Sequence, residues 1–101
     1  MWNWRAPVWQ TERMPDTNDL QTRFEAAEAQ SKLLPERPDN VTLLKIYGLY
    51  KQATQGANAE KRPSFSDFVA RAKWDAWTAQ KSLSADDAKQ GYIDLIDSLR
   101  G

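Results

Sequence analysis

Apolar residues recur at helical spacing in four stretches of the chain, each bounded by residues that start or stop helices. In the first, Leu20, Phe24, Ala27, Ser31 and Leu34 fall on one face, with Asn18 or Asp19 available as N-cap and Pro35 and Pro38 to end it. In the second, Leu43, Ile46, Tyr47, Tyr50 and Ala53 share a face. Asp39 or Asn40 can cap it and Gly56 is placed to terminate it, so this helix is expected over residues 40–55. After a polar stretch to Pro63, Ser64 and Asp67 have capping-box spacing, with Asp where Glu or Gln is usual. Phe65, Phe68, Ala72, Ala76 and Ala79 then mark one stripe of a third helix, with Trp74 and Trp77 beside it. The fourth starts at Ser84 and carries Ala88, Tyr92, Leu95 and Leu99 on one face, with Ile93 and Ile96 adjoining. No segment alternates at period two for long enough to make a strand.

The pattern predicts an all-α fold, a four-helix bundle. Short joints between helices 1 and 2 and between helices 3 and 4 favour antiparallel neighbours. The long connection between helices 2 and 3 allows a crossover that leaves those two parallel.

Residues 1–18 follow no such spacing. Trp2, Trp4 and Trp9 sit there among Asn3, Arg5, Pro7, Pro15 and Asp16, the composition of a flexible extension. Three indoles are more than a solvated tail usually carries. They suit docking on the domain, on a second copy or at a membrane interface, although no basic amphipathic helix accompanies them.

Composition narrows the chemistry. At 101 residues the chain can close one core. With no Cys and no His it has no disulfide, no thiolate or imidazole metal site, no catalytic thiol and no histidine base. No apolar run approaches the roughly 18 residues of a membrane span, and the N-terminus lacks a secretory apolar stretch, so a soluble, cytoplasmic protein is expected. The formal net charge is zero, which argues against a generic nucleic-acid binder. That total hides a basic middle: residues 29–81 hold nine Lys or Arg and five Asp or Glu. A multiply charged phosphate ligand would find its donors there.

The candidate chemistry lies on the second helix. Tyr47, Tyr50, Lys51 and Thr54 occupy positions i, i+3, i+4 and i+7, so two phenols and an ammonium share a face. Periodicity leaves two readings open: tyrosines at the core edge with Lys51 snorkelling to solvent, or a ligand site. Lys73 on the third helix and Tyr92 on the fourth are parallel oddities. No glycine-rich phosphate loop is present, so a nucleotide would be held by side chains on helices. Ser64, Ser66, Ser82 and Ser84 have no histidine partner, and their spacing fits caps and turns. Asp86 and Asp87 fit first-turn acids favouring the helix dipole. No catalytic residue, metal site or enzyme activity is expected.

Tyr47-Gly-Leu-Tyr-Lys-Gln-Ala-Thr-Gln-Gly56, Arg62-Pro63 and Ala72-Lys73-Trp74-Asp75-Ala76-Trp77 resemble the acyl-CoA-binding protein family closely. The likeness begins near Leu20 with Phe24-Glu25-Ala26-Ala27 and runs to Tyr92-Ile93-Asp94, leaving only the tail outside. It implies an up-down-down-up bundle over residues 19–101, acting as an acyl-CoA-binding domain. It implies binding, buffering and transport of medium- to long-chain fatty acyl-CoA without chemical change, with the nucleotide on the surface and the acyl chain in a groove between helices.

Carried over by position, Tyr47, Lys51 and Lys73 match the group around the adenosine 3′-phosphate. Lys32 and Arg37 match basic positions near the adenine and phosphate end. Tyr50 and Tyr92 match aromatic positions along the CoA and acyl path, and Leu43 and Leu44 match positions that touch the acyl chain. Val69 stands where many members carry Lys, and Ser31 where a hydrophobe is frequent. The resemblance further implies a monomer with no cofactor, acyl-CoA as carried ligand, no nucleic acid, no stable membrane insertion and transient contact with acyl-CoA-using enzymes. The rival reading is a helical interaction module docking an acidic partner through Tyr47, Tyr50 and the basic middle. Interface cores are usually depleted of Lys, whereas Lys51 and Lys73 flank aromatics here, which favours a phosphate ligand.

Overall fold

The structure, a computed structural model, describes residues 17–101, which form four α-helices: α1 (Thr17–Ser31), α2 (Asn40–Gln55), α3 (Phe68–Thr78) and α4 (Ala85–Leu99). The expectations for Trp2, Trp4 and Trp9 lie outside the described residues.

Cross-helix pairs fix the directions. Phe24 meets Tyr92 with ring centroids 5.0 Å apart, while Arg23 donates to Gln90 at 3.2 Å. Farther along, Gln30 lies beside Asp97 and Arg100, so α1 and α4 run the same way. Tyr47 faces Lys73 and Lys51 faces Trp77, so α2 and α3 are parallel to each other. Leu49 packs on Gly91 and Gln52 donates to the Leu83 carbonyl at 2.8 Å, whereas Lys45 lies toward Asp94 and Leu95. Helices α2 and α4 are therefore antiparallel, which completes the up-down-down-up order. The core between α1, α2 and α4 holds Phe24, Ala27, Leu49, Ala53, Ala88, Tyr92, Ile93 and Ile96.

Helix ends follow local chemistry with three departures from the sequence pattern. Asp39 caps α2 by accepting the Thr42 N–H at 2.8 Å, and Ser84 caps α4 by accepting the Asp87 N–H at 3.0 Å. Gly56 ends α2 at φ +80°, a conformation that side chains on Cβ disfavour. The first departure is at α1, which begins at Thr17, so Asn18 and Asp19 lie inside its first turn instead of capping it; it ends at Ser31, and Leu34 packs on the core from the following loop. The second is at α3, where Asp67 instead of Ser64 is the cap, accepting the Ala70 N–H at 3.2 Å. Ser64 is spent in the preceding turn, its carbonyl accepting the Asp67 N–H at 3.0 Å. The third follows from the second: Phe65 precedes the helix, and both it and Phe68 are open to solvent, because α3 packs on α2 alone. Trp77 is the residue α3 buries.

Candidate functional site

Helices α2 and α3 approach closely because Gly48 has no Cβ; one placed there would collide with the Ala76 carbonyl. Parallel direction and close approach keep successive turns of the two helices in register. On one rung, the Lys73 Nζ lies 5.5 Å from the centroid of the Tyr47 ring. On the next, the Lys51 Nζ lies 4.7 Å from the Trp77 ring and 6.0 Å from Tyr47. Trp77 is a fixed seat: only 4% exposed, it donates its Nε1–H to the Gly56 carbonyl at 2.8 Å.

Two ammonium groups thus flank one phenol, each drawn to an aromatic face. Among the described residues neither is ion-paired with a carboxylate; the pairs are Arg23–Asp19, Arg62–Asp75 and Arg100–Asp97. Ring faces attract a cation without satisfying its N–H donors, so Lys51 and Lys73 retain capacity for an anion.

Toward the N-terminal ends of the same two helices a groove of about 460 Å³ opens. Leu43, Leu44, Phe68, Val69 and Ala72 make its apolar walls, with Arg37 and Asn40 toward one end and Tyr47 and Lys73 toward the other. Its size falls within the range of about 300–1,000 Å³ usual for small-molecule sites. Arg37 is steered by weak contacts from its guanidinium to the Pro38 carbonyl at 3.4 Å and to Asn40 Oδ1 at 3.5 Å.

Of the residues expected from sequence, the structure brings Arg37, Leu43, Leu44, Tyr47 and Lys73 into this groove, with Lys51 adjoining through Tyr47. Tyr50 and Tyr92 lie instead in an aromatic cluster with Phe24: Tyr50 stacks on Phe24 at 5.9 Å and is 6.0 Å from Tyr92. Tyr92 is buried there, and burial pushes its phenol pKa up, a hydrogen bond with Ser31 opposing the shift and the Glu28 charge adding to it. Tyr50 is pushed up chiefly by a hydrogen bond to Glu28 and by that residue's negative charge. Lys32 is exposed in the turn after α1, outside the groove lining.

Asn40, Phe68, Ala72 and the seat at Trp77 join the site as functional candidates beyond those expected from sequence, and so does Val69, which the family resemblance marks as a departure. A signal existed for Val69 alone. With α2 and α3 parallel and Tyr47 opposite Lys73, stepping back one turn on each helix brings Leu43 and Leu44 opposite Val69.

These features define a class: a helical bundle with a ligand-sized groove between two parallel helices and, at one end, cations that no carboxylate among the described residues neutralises. The profile of the family described as "Acyl CoA binding protein" matches residues 21–96. The chain is 42% identical over 76 residues to acyl-CoA-binding protein homolog 1 of Caenorhabditis elegans, covering 75% of this chain and 88% of that one. The crystal structure of Oryza sativa acyl-CoA-binding protein 2 superposes with a TM-score of 0.77 at 40% identity, over 79% of this chain and 89% of the other. Enoyl-CoA delta isomerase 2 of Rattus norvegicus is 47% identical over 85 residues, 84% of this chain but 22% of the isomerase. The chain therefore spans about a fifth of that relative's length. The chain belongs to the acyl-CoA-binding protein family.

Proposed function

We propose that this protein binds medium- to long-chain fatty acyl-CoA esters, buffers them and carries them without changing them. One observation carries the reading: an apolar groove ends at a phenol flanked by two lysines that no carboxylate neutralises among the described residues. Lys51, Lys73 and Tyr47 hold the 3′-phosphate of the nucleotide; Arg37 and Lys32, which the family resemblance assigns to its adenine and phosphate end, lie away from that cluster, Arg37 toward the opposite end of the groove and Lys32 outside its lining. Leu43 and Leu44, with Phe68, Val69 and Ala72, cover the acyl chain. Tyr50 faces the path of the thioester, backed by buried Tyr92.

Recognition then divides into a salt-sensitive grip on phosphate and burial of methylenes at roughly 0.8 kcal/mol each. Binding without reaction is supported by the use of the hydroxyls: Ser84 caps α4, and Ser64 and Ser66 contact each other at 3.1 Å in a turn. The isomerase in the relative's name describes a protein of which this chain matches a minor part. Membership of a family described as acyl-CoA binding weighs against the interaction-module reading. The reading extends to a cytoplasmic monomer that needs no cofactor and meets acyl-CoA-using enzymes transiently.

Isothermal titration with CoA and with acyl-CoAs of increasing length tests the proposal. Affinity should rise with each methylene pair until the groove is full, with free CoA weakest. Equal affinities across the series reject it. Release of free CoA from the complex over hours would show an enzyme instead of a carrier.

A further inference from the structure

The fold leaves a large apolar surface open beside the groove mouth. Phe65, Phe68 and Val69 are 76%, 74% and 67% exposed, and the two phenyl rings meet edge to face at 6.4 Å. Phe68 and Val69 line the groove, but Phe65 is not part of that lining, so a cargo seated there leaves the Phe65 ring in water. Adjoining exposed aromatics of this kind mark a contact surface.

Its surroundings are cationic. The Arg71 guanidinium lies 5.7 Å from the Phe65 ring centroid, and Arg37 and Lys73 stand on the groove that Phe68 and Val69 line. The carboxylate between the two phenylalanines, Asp67, is engaged as the N-cap of α3. Three cations around exposed phenyl rings are complementary to a surface with apolar depth and negative charge.

We propose that Phe65, Phe68 and Val69, ringed by Arg37, Arg71 and Lys73, form a docking surface for an anionic lipid membrane, so that the mouth of the groove meets the bilayer. The phenyl rings enter the headgroup boundary while the long cationic side chains stay level with the lipid phosphates. The contact is peripheral and reversible, since three side chains fall far short of a membrane span. Resting on the carrier reading above, the arrangement lets an acyl tail pass between bilayer and groove along a continuous apolar path without crossing water. A protein partner fits less well, because interface cores are depleted of Lys and a stable one covers about 800 Å² on each side.

Sedimentation of the full, ligand-free chain with vesicles tests this, using phosphatidylcholine alone and phosphatidylcholine mixed with phosphatidylserine. The protein should sediment with the mixed vesicles and not the neutral ones, and added salt should release it. Phe65→Ser should reduce partitioning about tenfold and Arg71→Gln about fivefold. Phe65→Ser should keep wild-type helicity and wild-type acyl-CoA affinity in vesicle-free titration. Equal sedimentation with both vesicle types, or Phe65→Ser partitioning like the wild type, would overturn the proposal. So would a parallel loss of acyl-CoA affinity in Phe65→Ser, which makes the patch part of the ligand site. A concentration-dependent dimer abolished by Phe65→Ser would make the occupant a second copy, and capture of an acyl-CoA-using enzyme without vesicle binding would make it a protein. The vesicle-free titration of the wild type judges the carrier reading separately.

Discussion

Two ammonium groups beside one phenol repel each other until an anion lies between them, and that is the chemical content of the Tyr47, Lys51 and Lys73 cluster. Lys73→Ala should weaken acyl-CoA binding by about 1.5–3 kcal/mol, the worth of a charged hydrogen bond, with helicity intact. Against the thioester of dephospho-CoA, which lacks the 3′-phosphate, calorimetry should find the same substitution nearly silent; an equal loss there would remove Lys73 from the phosphate. The phenols of Tyr50 and Tyr92 have pKa values raised from the ordinary 10.0. The folded state thus holds these protons more tightly than the unfolded one. Their contribution to stability is full below about pH 10 and is lost as pH rises through the folded values. Glu28→Gln should bring the Tyr50 midpoint down in an ultraviolet alkaline titration, because the leading cause of its shift is Glu28. At this scale the sequence was informative where residues on one helix shared a face, as Tyr47 and Lys51 do. It was silent on Trp77 as the seat of Lys51, because that contact joins two helices whose spacing depends on Gly48.

Helix α3 shows how a periodic stripe can mislead. A helix packed on one neighbour needs only one buried anchor, here Trp77, and phenylalanines at its open start are free to face water. The cap differs for a related reason: the sequence pattern makes Ser64 the cap and Asp67 its third-position acid, but the turn closing from the Ser64 carbonyl to the Asp67 N–H starts the helix at Phe68 and leaves Asp67 to cap it. By contrast α2 was legible from end to end, since Asp39 and Gly56 are each strong local signals. The seam between α2 and α3 depends on close backbone approach. Gly48→Ala should cost about 1–3 kcal/mol in denaturant unfolding, because the group it meets is the Ala76 carbonyl and a backbone cannot swing aside. No change in the unfolding midpoint would mean that the seam is looser than described. At the α2 N-terminus, the Thr42 backbone N–H lowers the Asp39 carboxyl pKa from its ordinary 3.8. Its stabilising effect is present above about pH 4 and fades as pH falls through the lowered value. Asp39→Asn should flatten that part of the acid unfolding curve while keeping the cap.

For the molecule as a whole, function depends on direction. The chain turns back between α1 and α2 and again between α3 and α4, but residues 56–67 cross over and leave α2 and α3 parallel. That crossover lays the basic middle of the sequence along one seam, with apolar walls before it and lysines after. Connection lengths alone allowed the parallel pair, and the family resemblance implied it. The lining contributed by Phe68 and Ala72 stayed hidden because no local pattern reports which residues face one another across a crossover. The most direct test is a crystal structure of the protein with a long-chain acyl-CoA. The 3′-phosphate should lie within hydrogen-bond reach of Lys51, Lys73 and Tyr47, with the acyl carbons against Leu43 and Leu44. An acyl-CoA seated elsewhere, with this groove empty, would contradict the account.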